Sequence, residues 1–314
     1  MPQPNFIIMG APKCGTTALS EYLRQHPNVF MSTPKEVHFF ATDFPRHGVA
    51  DTLDEYLELF ADAHEGHTAI GEASVWHLYS REAAQNIRDF DPDMKLIVML
   101  RNPVELVPSM HSQNLFSLAD NEPDFRKAWG LSETRRRGKH LPKGSTEAAL
   151  LFYDEIAKLG EQLERLLTVF PEEQVKVVFY DDFSAETGQV YREILRFLEI
   201  PEDHDVPLIP FNRNKTHRFR WSGSLTQRPP TWLKWTVRGF KQVTGIPELK
   251  VMDRLKKWDN IEVTRPPLDP EMTQIVLDNY REDILKLAEL TGRDLNPWLN
   301  LPKQSLVAET AAAS

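Results

Sequence analysis

Residues 6–17 read Phe-Ile-Ile-Met-Gly-Ala-Pro-Lys-Cys-Gly-Thr-Thr, an apolar strand that breaks into a glycine-bounded turn of phosphate size. Gly10 and Gly15, followed by Thr16 and Thr17, keep the spacing of the nucleotide-loop pattern G-x-x-x-x-G-K-[ST]. The lysine has moved: Thr16 stands in its place and Lys13 sits inside the loop. A turn of this shape points successive backbone N–H groups at an anion, and a helix opening after Gly15 adds its positive dipole end. The first elements are therefore expected to be a buried strand, an anion-holding loop and a helix.

The rest of the chain repeats that rhythm. Strands are expected at Phe6–Met9, Ala69–Glu72, Lys95–Leu100 and Val175–Tyr180. Helices are expected at Thr17–Gln25, Arg81–Asp89, from Asn102-Pro103 onward, over Glu147–Phe170, at Gly188–Leu198, and at Pro270–Thr291 with a stop at Gly292. Alternation of this kind predicts an α/β protein, a P-loop NTPase-like three-layer fold with a central parallel sheet. Pro108 falls inside the helix that Asn102 caps and should kink it just before Ser109. We read residues 1–302 as one domain with variable segments at about 40–66, 116–146 and 220–260, and residues 303–314 as a frayed tail.

Composition narrows the partners. A net charge of −9 over 314 residues argues against nucleic acid. The single cysteine, Cys14, excludes a disulfide framework and a cysteine-based zinc site, and it fits a reducing cytoplasm. No apolar run approaches the ~20 residues of a membrane span.

An NTPase needs a second apolar strand that ends in an acidic, magnesium-holding residue. The candidate strand Lys95–Leu100 ends in Arg101 instead, which would repel a metal ion and attract an anion. Ser109, about two helical turns on, could share a further phosphate with Arg101. Cys14 has no evident partner for nucleophilic chemistry and is read as passive.

These residues resemble the sulfotransferases that use 3′-phosphoadenosine-5′-phosphosulfate (PAPS). Pro-Lys-Cys-Gly-Thr-Thr at 12–17 is similar to their 5′-phosphosulfate loop, and Leu-Arg-Asn-Pro-Val-Glu-Leu-Val-Pro-Ser at 100–109 to their 3′-phosphate motif. Lys35-Glu36-Val37-His38-Phe39-Phe40 resembles the segment with the catalytic glutamate in the heparan-sulfate-type branch. Val177–Phe183, Arg196–Ile200 and Asn214-Lys215-Thr216 resemble further landmarks. One position departs: Ala73 follows Glu72 where the heparan-type enzymes place a lysine, which removes a cation from the expected acceptor site.

The resemblance implies PAPS as donor, adenosine 3′,5′-bisphosphate (PAP) as product, and no metal. It assigns Lys13 to the charge that grows on the bridging oxygen. Thr16, Thr17 and the amides of Cys14, Gly15, Thr16, Thr17 and Ala18 would hold the 5′-phosphate. Arg101 and Ser109, with Lys215 and Arg218, would hold the 3′-phosphate, and Arg220 could share this role. Glu36 is the expected general base and His38 its rival. The acceptor is expected to be the hydroxyl of a carbohydrate or glycoconjugate, with a small natural product or a lipid as the alternative. A variant P-loop kinase and a non-catalytic nucleotide-binding module remain rival readings. The segment Thr231–Val243 sets Trp232, Trp235 and Phe240 among Lys234, Arg238 and Lys241; it could pack on the domain, line an acceptor groove or touch anionic lipid heads.

Overall fold

The computed structural model describes residues 2–44, 49–143, 145, 147–208, 215–217, 260–262 and 267–300. The first strand, β1 (Phe6–Gly10), is buried along its whole length, as an uninterrupted apolar run requires. It feeds α1 (Thr16–Arg24), whose Leu19, Tyr22 and Leu23 face inward at helical spacing. A short edge strand, β2 (Val29–Met31), follows. Helix α2 (Leu53–Glu58) starts at a capping box between Thr52 and Glu55. Next come β3 (Ala69–Ala73), α3 (Trp76–Tyr79) and α4 (Ala83–Phe90). Strand β4 (Lys95–Leu100) leads into α5 (Pro103–Phe116), where the Asn102 side chain accepts the Val104 N–H at 3.0 Å. Two short helices, α6 (Phe125–Gly130) and α7 (Ser132–Arg136), precede α8 (Leu159–Leu167). Strand β5 (Val175–Phe179), α9 (Tyr180–Ala185) and α10 (Thr187–Phe197) complete the repeat. A small antiparallel pair, β6 (Lys215–His217) with β7 (Asn260–Glu262), precedes α11 (Pro270–Thr291) and α12 (Asn296–Leu299).

Five strands form one parallel sheet in the order β2-β3-β1-β4-β5. The α/β class with a central parallel sheet is thus as expected. β1 lies at the middle: Ile8 pairs with Ala73 on one side and Met9 with Val98 on the other. After β3 the chain crosses to the far side of β1, so the carboxyl ends of β3, β1 and β4 meet where open α/β sheets bind ligands. Chain packing separates two compact units. One comprises Met1–Val107, Asp154–Asn212 and Asp269–Ser314 and holds the sheet; the other comprises Pro108–Tyr153 and Arg213–Leu268. The core of the second contains a fully buried ion pair, Arg135 with Asp120 at 2.7 and 2.9 Å.

Two expectations change, and one strand was not expected. The single helix over Glu147–Phe170 is a 3₁₀ turn (Ala148–Leu151), a non-helical stretch and then α8. Tertiary bonds override local propensity there: the Tyr153 N–H donates to Ser132 Oγ at 3.2 Å, and Asp283 of α11 takes the N–H groups of Gly160 and Glu161 at 2.8 Å each. Residues 180–198 form two helices, with Tyr180 already in the first. β2 gave no periodic signal, being three residues long at the sheet edge. The last long helix matches its expected bounds. Asp269 Oδ1 accepts the Met272 N–H at its start, and Gly292 stops it in the left-handed region at φ 63°. Among the described residues no helix is long and apolar enough to cross a membrane.

Candidate active site

Three strand ends build the site. From β1 the chain enters the loop 11–15, in which Lys13 (φ 68°) and Gly15 (φ 92°) both take left-handed backbone. A side chain at Gly15 would be strained by that φ and would press on the Phe183 ring at 3.2 Å. Gly15 also brings no capping side chain to α1, so the first-turn N–H groups have no such acceptor from the cap residue. Positive φ at these two positions, with a helix start behind them, is backbone of a kind that can hold an anion. Thr16 and Ala18 are buried, while Lys13, Gly15 and Thr17 are partly exposed. Cys14 is fully buried; burial pushes its thiol far above the ordinary range, against the opposing pull of Arg101. A passive thiol is what that environment makes.

Arg101, directly after β4, reaches the loop. Its Nη1 donates to the Lys13 carbonyl at 3.0 Å, its Nε and Nη2 donate to Glu105 Oε2 at 3.1 and 2.6 Å, and its guanidinium lies 4.3 Å from the Tyr180 ring centre. The structure therefore joins the loop and Arg101, two features 88 residues apart in sequence. Tyr180 was not singled out as a functional residue in the sequence; it stood there as the last residue of an expected strand and within the landmark Val177–Phe183. Ser109 is buried in α5 and belongs to the second unit. The strand that carries Lys215 is described without its side chain, and Arg218, Arg220 and the segment Thr231–Val243 lie outside the described residues.

At the end of β3, a second loop folds back from β2. The Glu36 N–H donates to the Ala73 carbonyl at 2.9 Å, the Val75 N–H donates to Glu36 Oε2 at 3.0 Å, and the His38 N–H donates to Ser74 Oγ at 3.0 Å. Glu36 (φ 66°) and His38 (φ 55°) are held in left-handed backbone, at a cost of about 1–3 kcal/mol each. Lys35 Nζ pairs with Glu36 Oε1, and His38 Nε2 lies 3.3 Å from Glu36 Oε2. The two rival bases are thus one carboxylate–imidazole pair. The Glu36 side chain is 34% exposed and that of His38 only 6%, so the carboxylate is the member that meets solvent.

Behind the pair sits Glu72, fully buried. Its Oε2 accepts the Ser74 hydroxyl at 2.6 Å, and its Oε1 lies 3.4 Å from Nδ1 of buried His77. Burial pushes the Glu72 carboxyl up to about 8, opposed by Ser74 and Lys35 and reinforced by Glu36. Burial brings the His77 imidazole down to about 3, so burial favours the uncharged form of both groups. Glu72 was legible in the sequence as a strand residue and as the glutamate before Ala73, with no role of its own; an acid within an apolar strand is the signal that marks it, and the fold pairs it with Ile7 of the central strand.

Together the parallel sheet, the left-handed loop between β1 and α1, and an arginine at the end of β4 define a P-loop-like α/β protein. The sulfotransferase domain model matches residues 3–234, and the chain belongs to that family. It is 27% identical to carbohydrate sulfotransferase 15 of Mus musculus over 250 residues, covering 63% of this chain and 44% of that protein. It therefore spans less than half the length of this relative. It is 28% identical to heparan sulfate glucosamine 3-O-sulfotransferase 3A1 of Mus musculus, covering 93% of this chain and 63% of that one. A crystal structure of a sulfotransferase from Alicyclobacillus acidocaldarius superposes with a TM-score of 0.70 at 27% identity, covering 96% of this chain and all of the other.

Proposed function

We propose that the protein transfers the sulfuryl group of PAPS to a hydroxyl of a carbohydrate or glycoconjugate and releases PAP. The observation that carries this reading is the junction of loop and arginine. The loop offers backbone to an anion and holds a lysine inside the turn, and the strand end beside it presents Arg101 where an NTPase presents an acid for magnesium. Membership of the family and the glycan-directed names of its relatives support the donor and the acceptor class.

PAPS supplies the activated sulfuryl group. Of this chain, the amides of Cys14, Gly15, Thr16, Thr17 and Ala18 and the hydroxyls of Thr16 and Thr17 hold the 5′-phosphate, and Lys13 neutralises the charge on the departing oxygen. Arg101 and Ser109, with Lys215 and Arg218, serve the 3′-phosphate. Glu36, the exposed member of its pair, takes the proton of the acceptor hydroxyl, while His38 orients the carboxylate from the buried side. Arg101 at the strand end would repel a metal ion and attract an anion, which favours transfer without a divalent metal, and the single cysteine fits a cytoplasmic setting.

Mass spectrometry of glycan mixtures incubated with PAPS and excess chelator tests the reading; addition of one sulfonate is expected. Magnesium-dependent turnover of ATP instead would sink it. Glu36→Gln should lower kcat by about 10²–10⁴-fold and leave PAP affinity unchanged. If His38→Ala abolishes transfer while Glu36→Gln keeps it, the base is His38.

A further inference from the structure

The loop that carries Glu36 and His38 is backbone-strained at both residues, and such strain persists only where the surroundings over-determine it. Three hydrogen bonds to the end of β3 do so: Glu36 N–H to the Ala73 carbonyl, Val75 N–H to the Glu36 carboxylate, and His38 N–H to Ser74 Oγ. The third depends on a hydroxyl that can rotate. Ser74 Oγ is a fixed acceptor for His38 only while its own hydrogen is engaged elsewhere, and it is engaged at 2.6 Å by Glu72 Oε2.

We propose that Glu72 is the positioning residue of this site: through the Ser74 hydroxyl it fixes the backbone of His38, and with it the outward presentation of Glu36. The inference rests on the sulfotransferase reading for its effect on rate, and on geometry alone for its effect on the loop. Glu72 does this as an uncharged acid. Oε2 accepts from Ser74, and Oε1 lies 3.4 Å from Nδ1 of His77, both atoms buried without a hydrogen-bond partner, which is where an uncharged acid would carry its proton. The raised carboxyl and the lowered imidazole are consistent with that proton placement. A glutamine reproduces the same pattern, with its amide oxygen toward Ser74 and its N–H₂ toward His77. A leucine fills the space and cannot accept from Ser74.

The test compares Glu72→Gln, Glu72→Leu and Ser74→Ala with the wild-type protein. PAP binding by calorimetry, kcat with PAPS and an acceptor, and amide hydrogen exchange over residues 35–40 are measured for each. Glu72→Leu and Ser74→Ala should lower kcat roughly 10- to 100-fold, as misplacement of a reacting group does, and speed exchange at the His38 amide, with PAP affinity within about twofold of wild type. Glu72→Gln should restore kcat and protection. Wild-type kcat and His38 protection in Glu72→Leu would overturn the proposal, as would a Glu72→Gln protein that folds, binds PAP and is as slow as the leucine variant. A wild-type protein with no transfer activity would instead refute the functional reading, and exchange at His38 would still decide the role of Glu72.

Discussion

Two buried acids, one in each unit, have opposite fates. Asp120, in the second unit, faces Arg135 through two hydrogen bonds and also accepts the Tyr153 hydroxyl at 2.8 Å and the N–H groups of Asn121 and Glu122 at 2.7 and 3.1 Å. Burial pushes its carboxyl up, but Arg135, the Glu122 amide and Tyr153 outweigh that and hold it below the ordinary carboxylate range. Glu72, in the first unit, has one hydroxyl donor and a histidine at 3.4 Å, and burial wins. A buried carboxylate stays ionised when its lone pairs are filled by a cation and several donors; with one donor it keeps its proton. The closed pair is suited to structure and the neutral acid to holding the Ser74 hydroxyl.

The largest effect should come from opening the closed pair. Arg135→Met leaves the Asp120 charge buried without its cation, which costs about 3–5 kcal/mol in urea unfolding at pH 7. A carboxyl held below its unfolded value of 3.8 stabilises the fold above that pH and stops doing so as pH falls through the folded value. The deficit of the variant should therefore shrink toward acid pH. A loss under about 1 kcal/mol at neutral pH would show that Asp120 is not an obligate ion.

The neutral acid should show the reverse dependence. Glu72 has a folded value near 8 against 4.5 unfolded, so its contribution is complete below pH 4.5 and is lost progressively as pH rises to 8. Glu72→Gln, which cannot ionise, should gain on wild type across that window with a slope of up to about 1.4 kcal/mol per pH unit. His77 acts at the other end: its imidazole, lowered from 6.5 to about 3, costs stability as pH falls between those values. Unfolding midpoints at pH 5, 6.5 and 8 for both proteins check the slope, and a constant difference would mean that Glu72 is ionised throughout.

What could be read in advance divides along the same line. The loop 10–17 and Arg101 were legible because backbone-directed chemistry needs glycines and a cation at fixed spacing, and the strand Lys95–Leu100 and the helix Pro270–Thr291 because long apolar patterns and caps are local. Glu36 was legible by resemblance and His38, as its rival, by the titration range of histidine; only the fold shows that they form one pair. The Glu72–Ser74–His38 chain was not legible, because it joins residues up to 36 positions apart through a hydroxyl that no periodicity marks. The break in the expected helix over Glu147–Phe170 was hidden for the same reason, since its causes lie in Ser132 and Asp283.

Asp283 supplies the intermediate case and the smallest effect. It sits in α11, mostly buried, and its two oxygens accept the N–H groups of Gly160 and Glu161 at 2.8 Å each, a cap delivered to α8 from more than 120 residues away. The approach is so close that a side chain at position 160 would meet the Asp283 carbonyl at 2.4 Å. Burial raises its carboxyl and the two backbone donors lower it, with burial ahead, so two N–H donors fall short of what Asp120 receives. Asp283→Asn keeps one acceptor and turns an N–H₂ toward the other N–H, which should cost about 0.5–2 kcal/mol, as removal of a helix cap does. The cost should appear as faster amide exchange at Gly160 and Glu161, with exchange at the His38 amide unchanged. If Asp283→Asn destabilises the fold as much as Arg135→Met, donor number does not govern how this protein keeps its buried acids.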